Sequence, residues 1–167
     1  MKTSFLYAGG LILLMGVVFG SLLIFGIVAL TRRQYFPKAL PNHAQSLLIA
    51  GQIAAALILL TAIFSPVKDF LIVTSTHHPL QNPALWSYVL ICCSGVGIGY
   101  MIILYVTKLL IKLIFKGAST ALALQENDWG YALILAVIQV SLSLIIVQAL
   151  VLVLQALIPI PQMPLIR

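Results

Sequence analysis

Four long apolar runs, separated by short polar stretches, constrain this chain more than any other feature of its sequence. A helix needs about 20 apolar residues to cross the roughly 30 Å hydrocarbon core of a bilayer. The runs cover residues 5–31, 44–64, 85–107 and 130–158, and the third continues as a basic segment to residue 116. The sequence therefore predicts an all-α, polytopic membrane protein with four transmembrane helices, an outer loop at 65–84 and a single transmembrane domain over residues 1–167. A short interfacial helix over residues 69–74 within that loop is the alternative to a loop without helix.

The composition agrees with lipid as the main solvent of this chain. Hydrophobic residues make up 62% of the sequence and charged residues only 7%, whereas soluble domains carry roughly 25% charged residues. The net charge of +6 comes from lysines and arginines at the ends of apolar runs rather than from one basic face. This distribution argues against a nucleic-acid partner and makes the lipid bilayer the expected environment.

The basic residues also predict the orientation of the chain in the membrane. Cytoplasmic connections carry an excess of lysine and arginine. The connections after the first and third runs hold six of the nine basic residues, namely Arg32, Arg33, Lys38, Lys108, Lys112 and Lys116. We therefore expect these two connections in the cytoplasm, and both termini and the loop at 65–84 on the other side.

Three of those lysines form a regular stripe. Lys108, Lys112 and Lys116 lie four residues apart, so they share one face of a helix. We interpret them as a lipid-facing basic stripe whose apolar stems extend along the helix toward anionic headgroups and fix the topology. Recognition of a particular lipid or of a partner protein is the alternative interpretation.

The two halves of the chain resemble each other. Gly16 and Gly20 in the first run have counterparts in Gly95 and Gly99 in the third, and this spacing of glycines is typical of helix-packing faces. Each hairpin would start outside, so we predict two parallel-repeat hairpins that pack through the glycine faces of the first and third spans.

Asparagines open the second helix of each predicted hairpin. Asn42 and Asn127 both stand at N-cap positions, and Gln45 completes a capping box with Asn42. The segment Asn42-His-Ala-Gln-Ser46 resembles a motif of the YjfL-like family of bacterial membrane proteins, in which an asparagine followed by small residues opens the second helix of each repeat. The segment after Asn127 is similar but carries Trp129 and Tyr131 where small residues are expected. The resemblance implies duplicated hairpins, four spans and the prokaryotic inner membrane; it implies no activity, because the family has none established.

Chemistry inside the membrane usually requires ionisable groups at depth. The acids of this chain, Asp69, Glu126 and Asp128, all fall near the ends of the apolar runs. This pattern predicts no enzymatic activity, no catalytic residues and no cofactor.

Two residue pairs leave a weaker enzymatic hypothesis open. His77 and His78 are adjacent in the predicted outer loop, but a metal site usually needs three or four ligands. We therefore favour a solvated loop and no metal. Cys92 and Cys93 are also adjacent, which suits packing in a helix better than a disulfide. A redox or metal enzyme built on these residues is the least favoured of the functional hypotheses.

Polar residues inside the fourth run carry most of the functional information. Ser141, Gln148 and Gln155 recur every seven residues and so share nearly one face of the helix; Gln52 and Gln139 are further amides within spans. An amide that faces lipid leaves costly unpaired donors, so this polar seam should face other helices. It serves either as hydrogen-bonded packing or as the lining of a polar path.

These observations predict an integral membrane interaction or scaffold subunit without enzymatic activity, either self-associating or part of a larger membrane complex. The alternative is a homo-oligomeric channel or small-solute transporter lined by the polar residues of the fourth helix.

Overall fold

The computed structural model describes residues 2–35, 42–74, 83–115 and 120–158, and these parts of the chain are helical without a β-strand. Their helices are α1 Lys2–Tyr35, α2 His43–Thr74, α3 Pro83–Ile114, α4 Thr120–Gln125 and α5 Trp129–Ala156. The predicted all-α class is confirmed. α2, α3 and α5 are each long and apolar enough to cross a membrane, with mean hydropathies of 2.5, 2.2 and 2.6; in α1 the comparable stretch is Val18–Thr31, which is shorter.

α2 extends beyond the end that the sequence predicts. The outer loop was expected from residue 65, but the helix continues through Pro66 to Thr74. A proline removes one backbone hydrogen bond and usually kinks or ends a helix. Here Val67 and Phe70 are buried against α3, and the ring of Phe70 stacks on that of Tyr88 with centroids 4.6 Å apart. The burial of these apolar side chains stabilises the additional turns.

α2 and α5 form the centre of the bundle and have the most extensive mutual packing. They run parallel, because the N–H of Ala44 bonds to Asn127 at one end and Gln155 bonds to Asp69 at the other. Between these ends the helices approach closely at Gly51. A Cβ atom at this glycine would collide with the Cβ of Ala136 and lie 2.8 Å from its Cα.

The two remaining long helices flank this central pair and run antiparallel to it. α1 lies on α2, with Gly16 beside Phe64 and Thr31 bonded to Gln52. α3 lies on both α5 and α2. Its antiparallel register with α5 is fixed by Gly99, which faces Ile146, and by a tilted contact between the rings of Phe115 and Tyr131, with centroids 4.8 Å apart.

Candidate functional site

The four predicted packing glycines lie at helix contacts, but not at a contact with each other. A Cβ at Gly16 would lie 3.0 Å from Phe64, and one at Gly20 would lie 3.5 Å from Leu60, both on α2. The glycines of α3 face α5 instead: Gly95 faces Leu150 and Gly99 faces Ile146, at 3.1 and 3.3 Å. The predicted packing of the first span on the third through these faces is therefore corrected. Each glycine pair instead allows close approach to the antiparallel neighbour of its own helix.

The start of α2 is held by a reciprocal capping box. Asn42 Oδ1 accepts a hydrogen bond from the N–H of Gln45 at 2.9 Å, and Gln45 Oε1 accepts one from the N–H of Asn42 at 2.8 Å. The amide nitrogens of the same two side chains donate to the carbonyl of Leu124, at 2.7 and 3.3 Å. This carbonyl lies in the last turn of α4, where backbone acceptors lack helical partners. The box therefore also joins α2 to α4.

Asn127 takes a different role from the one predicted. It was expected to cap α5, but the N-cap of that helix is Asp128, whose Oδ1 accepts from the N–H of Tyr131 at 3.0 Å. Asn127 has a φ of 60°, a left-handed conformation in which asparagine is enriched. Its Oδ1 accepts instead from the N–H of Ala44, at 3.1 Å, and so caps α2. The N-terminal ends of the two central helices are linked by this bond.

Deeper in the bundle, a threonine and a glutamine form a buried pair. Thr31 Oγ1 donates to Gln52 Oε1 at 2.6 Å, and the two residues are 5% and 6% exposed. Such a bond stabilises the contact between α1 and α2, because water does not compete for either group in an apolar environment.

A threonine and a glutamine are also buried in the interface between α3 and α5, but they are not paired. Thr107 and Gln139 are 2% and 3% exposed, and neither Thr107 Oγ1 nor Gln139 Oε1 has a hydrogen-bond partner among the described residues. Along α3, Thr107 lies midway between Gly99 and Phe115, which contact Ile146 and Tyr131 of α5. Gln139 lies midway between those two residues of α5. The two side chains are thus at the same level of the α3–α5 interface.

The three residues of the predicted polar seam of α5 differ in their surroundings. Gln155 is half-buried and its amide donates to Asp69 Oδ2 at 3.2 Å and Ser65 Oγ at 3.4 Å, both on α2. Ser141 and Gln148 are exposed on the outer surface of the bundle, and no hydrogen bond joins either side chain to another described residue. Within this chain Gln155 alone of the three faces another helix, and for Ser141 and Gln148 contact with another helix stays a prediction.

The lysine stripe lies on the exposed side of α3. Lys108 and Lys112 are exposed, whereas Thr107 and Ile111, next to them in sequence, are buried. Lys116 lies outside the described residues.

The candidate metal and thiol groups do not assemble into a site in the described part of the chain. His77 and His78 lie outside it, and within it no three metal-ligating side chains come together. Cys92 is buried and Cys93 is half-buried, both as free thiols. Beside Cys92, the hydroxyl of Tyr88 donates to the carbonyl of Leu154 at 2.7 Å and ties α3 to the end of α5.

Comparison with models of protein families, with characterised proteins and with solved structures finds no match to this chain. Membership of the YjfL-like family stays a prediction.

Proposed function

We propose that this chain is an integral membrane interaction subunit without enzymatic activity, and that the outer face of α5 contacts a helix of another membrane protein. The proposal rests on the position of Gln148. Its amide is exposed within an apolar span and has no partner among the described residues. An amide left unpaired in hydrocarbon costs several kcal/mol, whereas one bonded to a neighbouring helix contributes roughly 0.6–2 kcal/mol to association.

The residues around Gln148 form a continuous face of the kind that packs against a second helix. All are exposed in this chain and they recur at intervals of three and four residues. They are Ser141, Leu144, Ile145, Gln148 and Leu152. The serine allows close approach and offers a hydroxyl, the glutamine offers an amide, and the aliphatic side chains supply the packing area.

We further propose that α1 is the first of four spans, so that the chain forms two parallel hairpins with both termini outside the cytoplasm of a prokaryotic cell. The 34-residue length of α1 and the parallel packing of α2 on α5 support this topology. The excess of basic residues in the two inner connections supports the orientation.

The second candidate is a homo-oligomeric channel or small-solute transporter. The same observation favours it, because copies of this chain arranged with their α5 faces inward would line a path with Ser141 and Gln148. The two functions differ in the identity of the neighbouring helix and in whether solute crosses the assembly.

A photoreactive amino acid at position 148 tests the proposal in the native membrane, with the same group at Val153 as the matched control. Position 153 is exposed on α5 but lies about 140° around the helix from 148. The proposed function predicts a crosslink from 148 to one foreign membrane chain, weaker crosslinking from 153, and loss of that chain from gently extracted protein after Gln148→Leu. Gln125→Leu, the same change at an exposed position of α4, should have no effect.

Crosslinks from 148 only to further copies of this chain would count against a foreign partner. The channel then predicts solute flux across liposomes that Gln148→Leu abolishes while the oligomer survives. An absence of crosslinks from 148 to any protein would overturn both candidates.

A further inference from the structure

A shallow crevice lies on the surface of the bundle between α1, α2 and α3, because α1 and α3 pack on α2 rather than on each other. It is small and open to the surroundings of the bundle, with a cavity volume of about 20 Å³. Its walls are apolar on all three helices. They include Gly16 and Phe19 of α1, Leu60 and Phe64 of α2, and Val89 and Cys93 of α3. Such walls favour an aliphatic occupant, since they offer no strong hydrogen-bonding group to a polar one.

A lysine stands at one end of the crevice. Leu60, Phe64 and Lys68 are spaced by four residues, so they form one stripe along α2, and Lys68 is exposed one turn beyond the apolar wall. Its neighbour Asp69 faces a different side of α2, where its carboxylate accepts a hydrogen bond from Gln155 of α5. The positive charge of Lys68 therefore lies at one end of the apolar crevice.

The same level of the bundle has the character of a membrane interface. The stacked rings of Phe70 and Tyr88 place this part of α2 beside the first turns of α3. Trp86 lies there, on the same stripe of α3 as Val89 and Cys93. Tryptophan and tyrosine concentrate at the depth of lipid headgroups, where lysine side chains also reach phosphates.

We propose that the crevice binds one phospholipid with an anionic headgroup, its phosphate at Lys68 and one acyl chain along the apolar walls. Leu60 and Lys68 are eight residues apart, which is about 12 Å along the helix axis and matches the upper part of an acyl chain. A transmembrane helix, roughly 10 Å wide with its side chains, would not enter a crevice of this size. Anionic headgroups are favoured because a zwitterionic one would bring its own cation next to the lysine.

Tryptophan fluorescence of the full-length protein in vesicles tests this site. The chain has two tryptophans, so Trp129→Phe leaves Trp86 as the reporter beside the crevice. Vesicles are made of phosphatidylcholine with a minor fraction of phosphatidylglycerol whose acyl chains carry bromine, a quencher. Occupancy of the crevice predicts quenching well above the share of brominated lipid in the membrane. Excess unlabelled phosphatidylglycerol should restore the fluorescence, and excess phosphatidylcholine should not.

Two variants locate the lipid. Lys68→Gln should weaken phosphatidylglycerol binding about fivefold, as expected for one lysine near a membrane surface. Cys93→Phe should fill the crevice and lower the quenching to the bulk value, with the helical content checked by circular dichroism. Lys108→Gln, which removes an exposed lysine near the other end of α3, should leave the quenching unchanged.

Quenching that merely follows the bulk fraction of brominated lipid in the Trp129→Phe protein would overturn the proposal, whatever the variants do. Equal restoration by unlabelled phosphatidylglycerol and phosphatidylcholine would overturn the preference for an anionic lipid.

Discussion

Asn127 caps a helix to which it does not belong: its side-chain oxygen accepts a hydrogen bond from the N–H of Ala44, in the first turn of α2, at 3.1 Å. Asp128, the next residue, caps α5. The starts of both central helices are therefore fixed by two consecutive residues of the segment between α4 and α5.

Asn127→Ala should lower stability for two separable reasons. Loss of the cap costs about 1 kcal/mol, and alanine at a φ of 60° adds strain of about 1 kcal/mol. Asn127→Gly removes the cap but tolerates this conformation, so it should be the less damaging change. Thermal unfolding in detergent measures both variants. A glycine variant less stable than the alanine variant would contradict the role of the left-handed conformation.

Removal of the buried hydroxyl of Thr31 and removal of that of Thr107 should have unequal effects on the stability of the protein. Thr31→Val leaves Gln52 Oε1 without its donor in a buried site, so it should destabilise the protein by about 1 kcal/mol. Thr107→Val removes a hydroxyl that has no partner among the described residues, so it should be neutral or stabilising. Unfolding of both variants under identical conditions gives the comparison. Greater damage from Thr107→Val would show that this hydroxyl is bonded in the membrane.

Gly51→Ala should push the central helices apart. The added methyl group would meet both the Cβ and the Cα of Ala136, and backbone does not move aside as a side chain can. Overpacking of this kind costs roughly 1–3 kcal/mol. Gly97→Ala is the matched control, because nothing lies within 4 Å of a Cβ at that exposed position of α3. The control should be neutral or stabilising, since alanine favours a helix by roughly 0.5–1 kcal/mol over glycine. Similar losses from both would contradict the close approach of α2 and α5.

Tyr88→Phe should destabilise the end of the bundle where α5 terminates. The variant keeps the ring that stacks on Phe70 but loses the hydrogen bond to the carbonyl of Leu154. A loss of about 1 kcal/mol is expected from one such bond. Tyr105→Phe, at a residue 65% exposed on the same helix, should be neutral. Hydrogen exchange at the C-terminal end of α5 would show whether the loss is local.

Local patterns in the sequence were sufficient to predict the all-α class and the capping box of Asn42 and Gln45, because both depend on residues within a few positions of one another, whereas the short helix α4 was not predicted. The continuation of α2 through Pro66 was not predictable from those patterns, since it depends on packing against α3. The role of Asn127 was missed for a similar reason: its partner lies 83 residues away.

The candidate site was also only partly predictable from local patterns in the sequence. A seven-residue spacing correctly places Ser141, Gln148 and Gln155 on one side of a helix, but it does not determine what that side faces. Only the arrangement of the other helices leaves Gln148 exposed and brings Gln155 beside Asp69. Gly51 escaped notice because it has no second glycine four residues away, although the alanines near it, at positions 50 and 54–56, were a usable signal.

The start of α2 is bonded to Leu124 and Asn127, two residues that are synthesised well after α2 itself. When α2 emerges from the ribosome, the residues that complete its cap and the alanine that packs on Gly51 have not yet been made. α1 and α2 are therefore synthesised before part of the surface that packs on α2 exists. A chain interrupted before residue 124 would lack these partners, so it should be recognised by membrane quality control rather than accumulate as half of the bundle.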